Sequence, residues 1–226
     1  MAAKCGEVRV WHWAHKGRLV CDPWWENETK WHRDWKDQFP ADWQEVVQTA
    51  GNGERHIADV KTGDGWVIEF QHSHITPEER RSRDAFYPKL IWVVDGRRRT
   101  RDEAQLVNAL NEGLPVGAWR RVSSDSCVLL REWADSNAPI FVDFGGEVLC
   151  WISSGSTDRS AYIAPYPRAQ FIESHCGGAT ELARKFDKLV SDDIPTLIAE
   201  CESLLRAQSL RPAALQPRRV GRRFRF

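Results

Sequence analysis

Five consecutive apolar residues, Leu90 to Val94, constrain the fold of this chain more than any other feature. A strand exposed on one face alternates apolar with polar residues, whereas a strand covered on both faces is apolar throughout. The run Leu-Ile-Trp-Val-Val therefore predicts a buried central strand of a sheet. A helix should precede it, because Thr76 can cap a first turn that contains Pro77 and Glu79, and should end near Tyr87.

Upstream of this helix, the sequence predicts another helix and three strands. Gly63-Asp64-Gly65 favours a tight hairpin between the last two strands. The expected elements are a helix from Pro23 to Phe39 and strands over residues 43–49, 55–62 and 66–73. Alternation around Lys16-Gly17 predicts a further β-hairpin over residues 7–20. The order helix, three strands, helix, strand thus follows an N-terminal hairpin.

Downstream of residue 95 the pattern indicates an α+β region. The expected elements are a helix over residues 102–111, a hairpin of residues 140–144 and 147–152 across Gly145-Gly146, and a helical region over 180–208 that is broken at Pro195. The chain divides into an N-terminal hairpin (1–23), a core (24–95), a C-terminal α+β region (96–210) and a basic tail (211–226). The tail contains six arginines and no acidic residue.

Two carboxylates flank the Gly63-Asp64-Gly65 hairpin. Asp59 lies on one strand and should come level with Glu69 on the other, and Gln71 shares the face of Glu69 because side chains alternate along a strand. Two converging carboxylates beside a polar group suit Mg²⁺ or Mn²⁺. A surface hairpin with ordinary charges is the alternative, but Glu69 stands in the apolar run Trp-Val-Ile-Glu-Phe-Gln, where an uncompensated charge is costly.

The first predicted helix carries polar residues beside its apolar face. Trp31, Trp35 and Phe39 form one stripe at helical spacing, which should face the sheet. Glu28 is expected within this stripe, with His32 and Lys36 along its edge. We therefore treat these three polar residues as candidate site residues, although edge residues of this kind are often merely solvated.

A zinc site near the N-terminus is a weaker candidate. Four residues could supply its ligands: Cys5, His12, His15 and Cys21. Their spacing matches no standard zinc finger. Hydrogen bonding within the hairpin explains the two histidines equally well.

These motifs together resemble the PD-(D/E)XK nuclease superfamily, in which an Asp and a Glu-x-Lys lie on neighbouring strands. Gln71 replaces the final Lys, and within the superfamily the chain is similar to the competence protein CoiA-like family, which shows Asp followed by Glu-x-Gln. The motifs that carry the resemblance are His12-Trp13-Ala14-His15-Lys16, Glu28-Thr29 with His32 and Lys36, Ala58-Asp59-Val60, Ile68 to Ser73, and Leu90 to Val93.

The resemblance implies an α/β fold with a restriction-endonuclease-like αβββαβ core, to which the N-terminal β-hairpin and the C-terminal α+β extension are added. It also implies metal ligation by Asp59 and Glu69, with Glu28 as a candidate third ligand, and a role for Gln71 in positioning water or phosphate. Family members often carry a cysteine pair before the His-aromatic-Ala-His segment, whereas only Cys5 stands there in this chain.

The expected function is divalent-metal-dependent hydrolysis of DNA. The alternative is a non-cleaving DNA-binding accessory protein in DNA uptake or recombination, acting with protein partners. The formal net charge is zero, so bulk charge does not indicate a nucleic-acid partner. No apolar stretch approaches the roughly 20 residues that a membrane helix needs, and the first ten residues do not resemble a secretory signal. A cytoplasmic protein with no membrane contact is therefore expected.

Overall fold

The computed structural model describes residues 2–6, 9–14, 24, 28–51, 53–155, 159–177 and 180–209, with the backbone alone for 2–6, 9–14 and 209. The described strands are β1 (Ala2–Gly6), β2 (Arg9–Ala14), β3 (Gln44–Thr49), β4 (Arg55–Lys61), β5 (Val67–Gln71), β6 (Leu90–Asp95), β7 (Leu114–Val116), β8 (Trp119–Ser123), β9 (Ile140–Asp143), β10 (Val148–Ser154) and β11 (Ser160–Pro167). The described α-helices are α1 (Lys30–Lys36), α2 (Pro77–Phe86), α3 (Asp102–Glu112), α4 (Val128–Trp133), α5 (Arg168–Cys176), α6 (Glu181–Lys188) and α7 (Ile194–Ser209).

One nine-stranded mixed sheet organises the molecule. Its strand order is β3-β4-β5-β6-β9-β10-β11-β8-β7. The pairs β5/β6 and β6/β9 are parallel, and the other neighbouring pairs are antiparallel. Strands from before and after residue 95 therefore share one sheet, so the expected boundary between core and C-terminal region falls inside a continuous structure.

The central strand β6 is buried on both faces, as its sequence predicts. Its residues Leu90, Trp92 and Val94 pack into an apolar cluster together with residues of α3 and α4. Ile91 and Val93 enter a second cluster with residues of α1, α5, α6 and α7 on the opposite face. Alternation of side chains along a strand thus connects the two cores.

Most predicted elements of the core are confirmed. The order helix, three strands, helix, strand is present, and Thr76 caps α2 by accepting the Glu79 N–H at 3.1 Å. The hairpin of β9 and β10 and the helix α3 also match. The C-terminal helical region is broken by a π-type turn at Leu189–Asp193, just before Pro195, whose ring and missing N–H disturb the preceding turn.

One predicted element boundary is wrong. Helix α1 begins at Lys30, not at Pro23, because the Thr29 hydroxyl caps it by accepting the His32 N–H at 3.2 Å. The predicted partner of β2 after Lys16-Gly17 falls outside the described residues, and β2 pairs with the segment before it, β1. Only two residues separate these strands, which favours a tight antiparallel pair. Residues 15–23 lie outside the described residues, as does the basic tail.

Within the part of the chain that the structure describes, no helix has the length and apolar character that crossing a membrane requires.

Candidate active site

Strands β4 and β5 separate at the position of Asp59 and Glu69. Their ladder contains the pairs Val60↔Ile68 and Lys61↔Val67, and the next pair in this register would be Asp59 and Glu69. Beyond Val60, β4 stays paired with β3 while β5 stays paired with β6. In the resulting fork, Asp59 Oδ2 accepts the Phe70 N–H at 2.9 Å. The two carboxylates are therefore brought level across the hairpin, as the sequence predicts.

The Glu69 carboxylate is buried, with 5% of its side chain exposed. Oε2 accepts a hydrogen bond from Arg83 Nη1 at 3.1 Å, whereas Oε1 has no hydrogen-bond partner among the described residues. Burial, and then the neighbouring Asp59 charge, raise the pKa of Glu69 well above its usual value, and Arg83 together with the Asp59 backbone N–H opposes this only in part. The ionised form of Glu69 is therefore costly in this fork.

Arg83 of α2 is the buried cation of this site, and the sequence did not indicate it. Its Nη2 donates to Glu79 Oε1 at 2.6 Å and to the Trp24 carbonyl at 2.9 Å. The guanidinium also lies 5.3 Å and 5.7 Å from the ring centroids of Trp24 and Trp92. The helical spacing of Glu79 and Arg83 was visible in the sequence, but it is equally typical of a solvated helix face.

His32 of α1 approaches Asp59 from the other face of the sheet. Its Nε2 lies 3.0 Å from Asp59 Oδ1. The ring also packs 5.7 Å from the ring of Phe70. The structure therefore joins His32, Asp59 and Glu69, three of the predicted site residues.

Lys36 and Glu28 form a separate group with Glu45. Lys36 Nζ donates to Glu28 Oε1 and to Glu45 Oε1, each at 2.8 Å. Burial alone would lower the pKa of Lys36, but the two carboxylates outweigh burial and raise it. Glu45 has a φ of 54°, a backbone conformation that only a few per cent of residues other than glycine adopt.

The placement of Glu28 corrects the prediction that it lies on the apolar stripe of the helix. It precedes the cap residue Thr29 and is exposed, whereas Trp31, Trp35 and Phe39 are buried as expected. Its carboxylate contacts Lys36 and lies 4.0 Å from Arg33 Nη1. The contacts of Glu28 are thus with cations of α1.

Gln71 is buried at the end of β5, and its Nε2 donates to the Ser73 carbonyl at 3.2 Å. No three His, Cys, Asp or Glu side chains in the described ranges are grouped so that they could hold a metal ion. The candidate zinc ligands Cys5, His12, His15 and Cys21 are not among the side chains that the structure describes.

Asp143, at the end of β9, fixes the position of α1. Its Oδ2 accepts the indole N–H groups of Trp31 at 2.8 Å and Trp35 at 2.9 Å. Its Oδ1 accepts the Gly145 N–H at 2.7 Å and a hydrogen bond from Arg168. Burial alone would raise the pKa of Asp143, but these hydrogen bonds outweigh burial and lower it. This carboxylate therefore holds the helix that carries His32 and Lys36.

Comparison of the chain with protein-family models, with curated proteins and with solved structures gave no match.

Proposed function

We propose that this protein is a divalent-metal-dependent nuclease that hydrolyses phosphodiester bonds in DNA. The observation that carries the proposal is the pair of carboxylates in the fork, where Glu69 is buried beside Asp59 and keeps an oxygen without a partner in the described part of the chain. Burying a charge that is compensated only in part, as Glu69 is by Arg83, is costly. A cation bound between Asp59 and Glu69 would remove this cost.

The donor set fits Mg²⁺ or Mn²⁺. Both ions prefer carboxylate oxygens, and Mg²⁺ is usually held by one or two carboxylates together with waters and substrate phosphates. Asp59 and Glu69 would supply these two carboxylates. When bound, the ion supplies Lewis-acid polarisation of the phosphodiester and a water of lowered pKa.

The neighbouring side chains prepare the two carboxylates. Arg83 fixes one oxygen of Glu69, and the other oxygen has no hydrogen-bond partner among the described residues. His32 lies against one oxygen of Asp59, while the Phe70 N–H holds the second oxygen. Gln71 would position water or a phosphate oxygen through its amide, which carries no charge.

We assign Glu28 and Lys36 a structural role in holding α1. Glu28 is then not a metal ligand, and Lys36 does not stabilise charge on the phosphate. The ammonium group of Lys36 is already shared between Glu28 and Glu45 at 2.8 Å. It therefore attaches α1 to the residues on either side of the helix. In this proposal Lys36 does not replace the lysine that Gln71 displaces from the superfamily pattern.

The pairing of Lys36 is also the observation that favours a second candidate function. If no lysine outside the described residues reaches the carboxylates, the transition state would lack an electrostatic stabiliser that is often worth about 10²–10³ in rate. A DNA-binding accessory protein that does not cleave, and that works with protein partners in DNA uptake or recombination, is consistent with this loss. The resemblance to the CoiA-like family implies the same biological setting.

One experiment separates the two functions. Purified protein is incubated with labelled single-stranded and double-stranded DNA in Mg²⁺, Mn²⁺ or EDTA, and cleavage is followed on denaturing gels. The variants are Asp59→Asn and Glu69→Gln, with Asp125→Asn as a control because Asp125 is an exposed acid in the turn after β8. The melting temperature of each protein is recorded with and without the ion.

The nuclease proposal expects cleavage that needs the ion and is lost in Asp59→Asn and Glu69→Gln but not in Asp125→Asn. It also expects the ion to raise the melting temperature of the wild type and the control only, because a ligand of the folded state stabilises it. DNA binding without cleavage under all conditions would favour the accessory function. Wild-type cleavage by either site variant would refute the metal assignment.

A further inference from the structure

Three parallel strands end side by side next to the fork. β5 ends at Gln71, and β6 and β9 end at Asp95 and Asp143, which are register partners. In open α/β sheets, ligands bind in the crevice outside the carboxyl ends of such strands. Adjacent strands lie about 4.8 Å apart, so the end of β9 is about 10 Å across the sheet from the end of β5.

A cavity of about 270 Å³ opens at this edge between α1 and the turn from β9 to β10. Its walls include the rings of Trp31 and Trp35, the Asp143 carboxylate and the side chains of Arg97 and Arg168. Arg168 is committed to the wall. It hydrogen bonds to Asp143 and to the Gly146 carbonyl, and its guanidinium stacks 4.5 Å from the ring centroid of Trp35.

The guanidinium of Arg97, the other cation of the cavity wall, has no such hydrogen bonds to described residues. Its Nε lies 3.8 Å from Asp95 Oδ1, beyond hydrogen-bonding distance. The two Asp95 oxygens are already in contact with the Arg97 backbone N–H at 2.9 Å and with His72 Nδ1 at 2.8 Å. In the described part of the chain, no acceptor hydrogen bonds to the terminal nitrogens of Arg97.

Gly145 allows the Arg97 guanidinium to lie over the turn. It has a φ of +87°, and a Cβ atom there would stand 2.6 Å from Arg97 Nη1. A side chain would be strained at this φ and would also displace the guanidinium. The turn therefore holds Arg97 against the cavity with its donors exposed.

The other charged side chains around the cavity are paired, so the positive charge of Arg97 dominates the side of the cavity that opens to solvent. Asp34, on the rim, is paired with Lys30 at 2.6 Å. Asp143 is paired with Arg168. Asp95 is buried beneath the turn, whereas 54% of the Arg97 side chain is exposed. An anion that enters the cavity would meet the planar donor fork of Arg97, which matches the geometry of phosphate.

We propose that Arg97 binds a phosphate of the DNA strand whose scissile bond lies at Asp59 and Glu69. The inference rests on the proposed function, because it assigns a DNA-binding role to the sheet edge next to that site. The ends of β5 and β9 lie two strand spacings apart, so Arg97 would bind a phosphate near the scissile one and not the scissile phosphate itself. The strand would then run along the carboxyl ends of β5, β6 and β9.

Binding of fluorescein-labelled single-stranded DNA in EDTA tests this inference without cleavage. Arg97→Gln should weaken binding about ten-fold at low salt, the usual effect of removing one charge-assisted hydrogen bond. The slope of log K against log salt should fall in magnitude by about 0.7, the value for one phosphate contact on a single strand. Arg81→Gln is the matched control, because Arg81 is 56% exposed and carries the same charge on the outer face of α2.

Two further variants separate a site from general charge. Arg97→Lys keeps the charge and should retain most of the salt slope, although an ammonium group cannot bind the phosphate through two parallel hydrogen bonds. Gly145→Ala keeps every charge but displaces the guanidinium, so it should weaken binding as well. Melting curves check that each variant is folded, and Arg97 is exposed enough for its replacement to leave the core intact.

DNA with and without a 5′-phosphate identifies the source of the phosphate. If Arg97→Gln loses the same affinity for both oligonucleotides, the group that Arg97 binds is an internal phosphodiester, as proposed. A loss confined to the 5′-phosphorylated DNA would replace the diester with a terminal monoester and overturn the proposed strand path. Equal binding by Arg97→Gln and Arg81→Gln to both DNAs would refute the phosphate site, even if metal-dependent cleavage is observed. If Arg97→Gln weakens DNA binding but the wild-type protein never cleaves DNA, the phosphate-binding site at Arg97 stands and the proposed nuclease function is refuted.

Discussion

Replacing Asp143 with Asn tests whether one carboxylate holds helix α1 on the sheet. In the wild type, Oδ2 accepts the two indole N–H groups of Trp31 and Trp35, and Oδ1 accepts from Gly145 and Arg168. In Asp143→Asn one of these oxygens becomes an NH₂ group, which can only donate. The two groups that donate to that oxygen in the wild type would then face a donor and would lose their hydrogen bonds in a buried position.

The magnitude follows from the number of hydrogen bonds that the variant cannot form. A buried polar group that loses its partner costs about 1–3 kcal/mol. Two such groups give a loss of about 2–6 kcal/mol in the free energy of unfolding. For a domain of this size, 1 kcal/mol shifts the melting temperature by about 2–4 °C, so Asp143→Asn should melt about 4–24 °C lower than the wild type.

Urea unfolding followed by tryptophan fluorescence measures this loss, with Asp34→Asn as the control on the exposed face of α1. The control should change stability by about 0.5 kcal/mol or less. Because the folded pKa of Asp143 is held below 3.8, its ionised form stabilises the fold above that pH and loses this effect as the pH falls through the folded pKa. The difference in the free energy of unfolding between wild type and Asp143→Asn should therefore become smaller as the pH falls from 3.8 through the folded pKa. A loss below about 1 kcal/mol at pH 7 would refute the reasoning.

Three further predictions concern the candidate site and the tail. Glu69→Gln should raise the melting temperature of the metal-free protein. Burial and Asp59 raise the pKa of Glu69, so its ionised form destabilises the fold increasingly as the pH rises from 4.5. A melting temperature below that of the wild type at neutral pH would contradict this. Gln71→Ala should be nearly inactive in a DNA cleavage assay with Mg²⁺, because it loses the amide that would position water or a phosphate oxygen, whereas full activity of Gln71→Ala would remove this residue from the site. Deleting residues 211–226 should weaken duplex DNA binding and reduce the salt slope by about 0.9 for each phosphate that the tail binds, and an unchanged slope would show that the tail does not bind DNA.

The parts of the site that could be predicted depend on short-range rules. Alternation and the tight turn at Gly63-Asp64-Gly65 place Asp59 level with Glu69. Helical spacing places Trp31 and Trp35 on the buried face of α1. The start of α1 was harder to predict, because a long stretch of residues can be helical in principle while a single cap at Thr29 decides where the helix begins.

Several strands of the second half were not predicted for a related reason. β8 contains Arg120 and Arg121 and has no continuous apolar run. Its extended conformation is stabilised by pairing with β11 on one side and β7 on the other. Strand propensity depends strongly on such neighbours.

The sequence by itself determined that β6 is a central strand, that a tight hairpin carries two carboxylates, and that α1 presents tryptophans to the sheet. Each of these follows from residues within a few positions of one another. Only the tertiary structure decided that Arg83 pairs with Glu69, that Glu45 shares Lys36, and that Asp143 binds tryptophans 112 and 108 positions away. Such partners are chosen by the packing of helices against the finished sheet, and a buried charge is stable only where that packing supplies its hydrogen bonds.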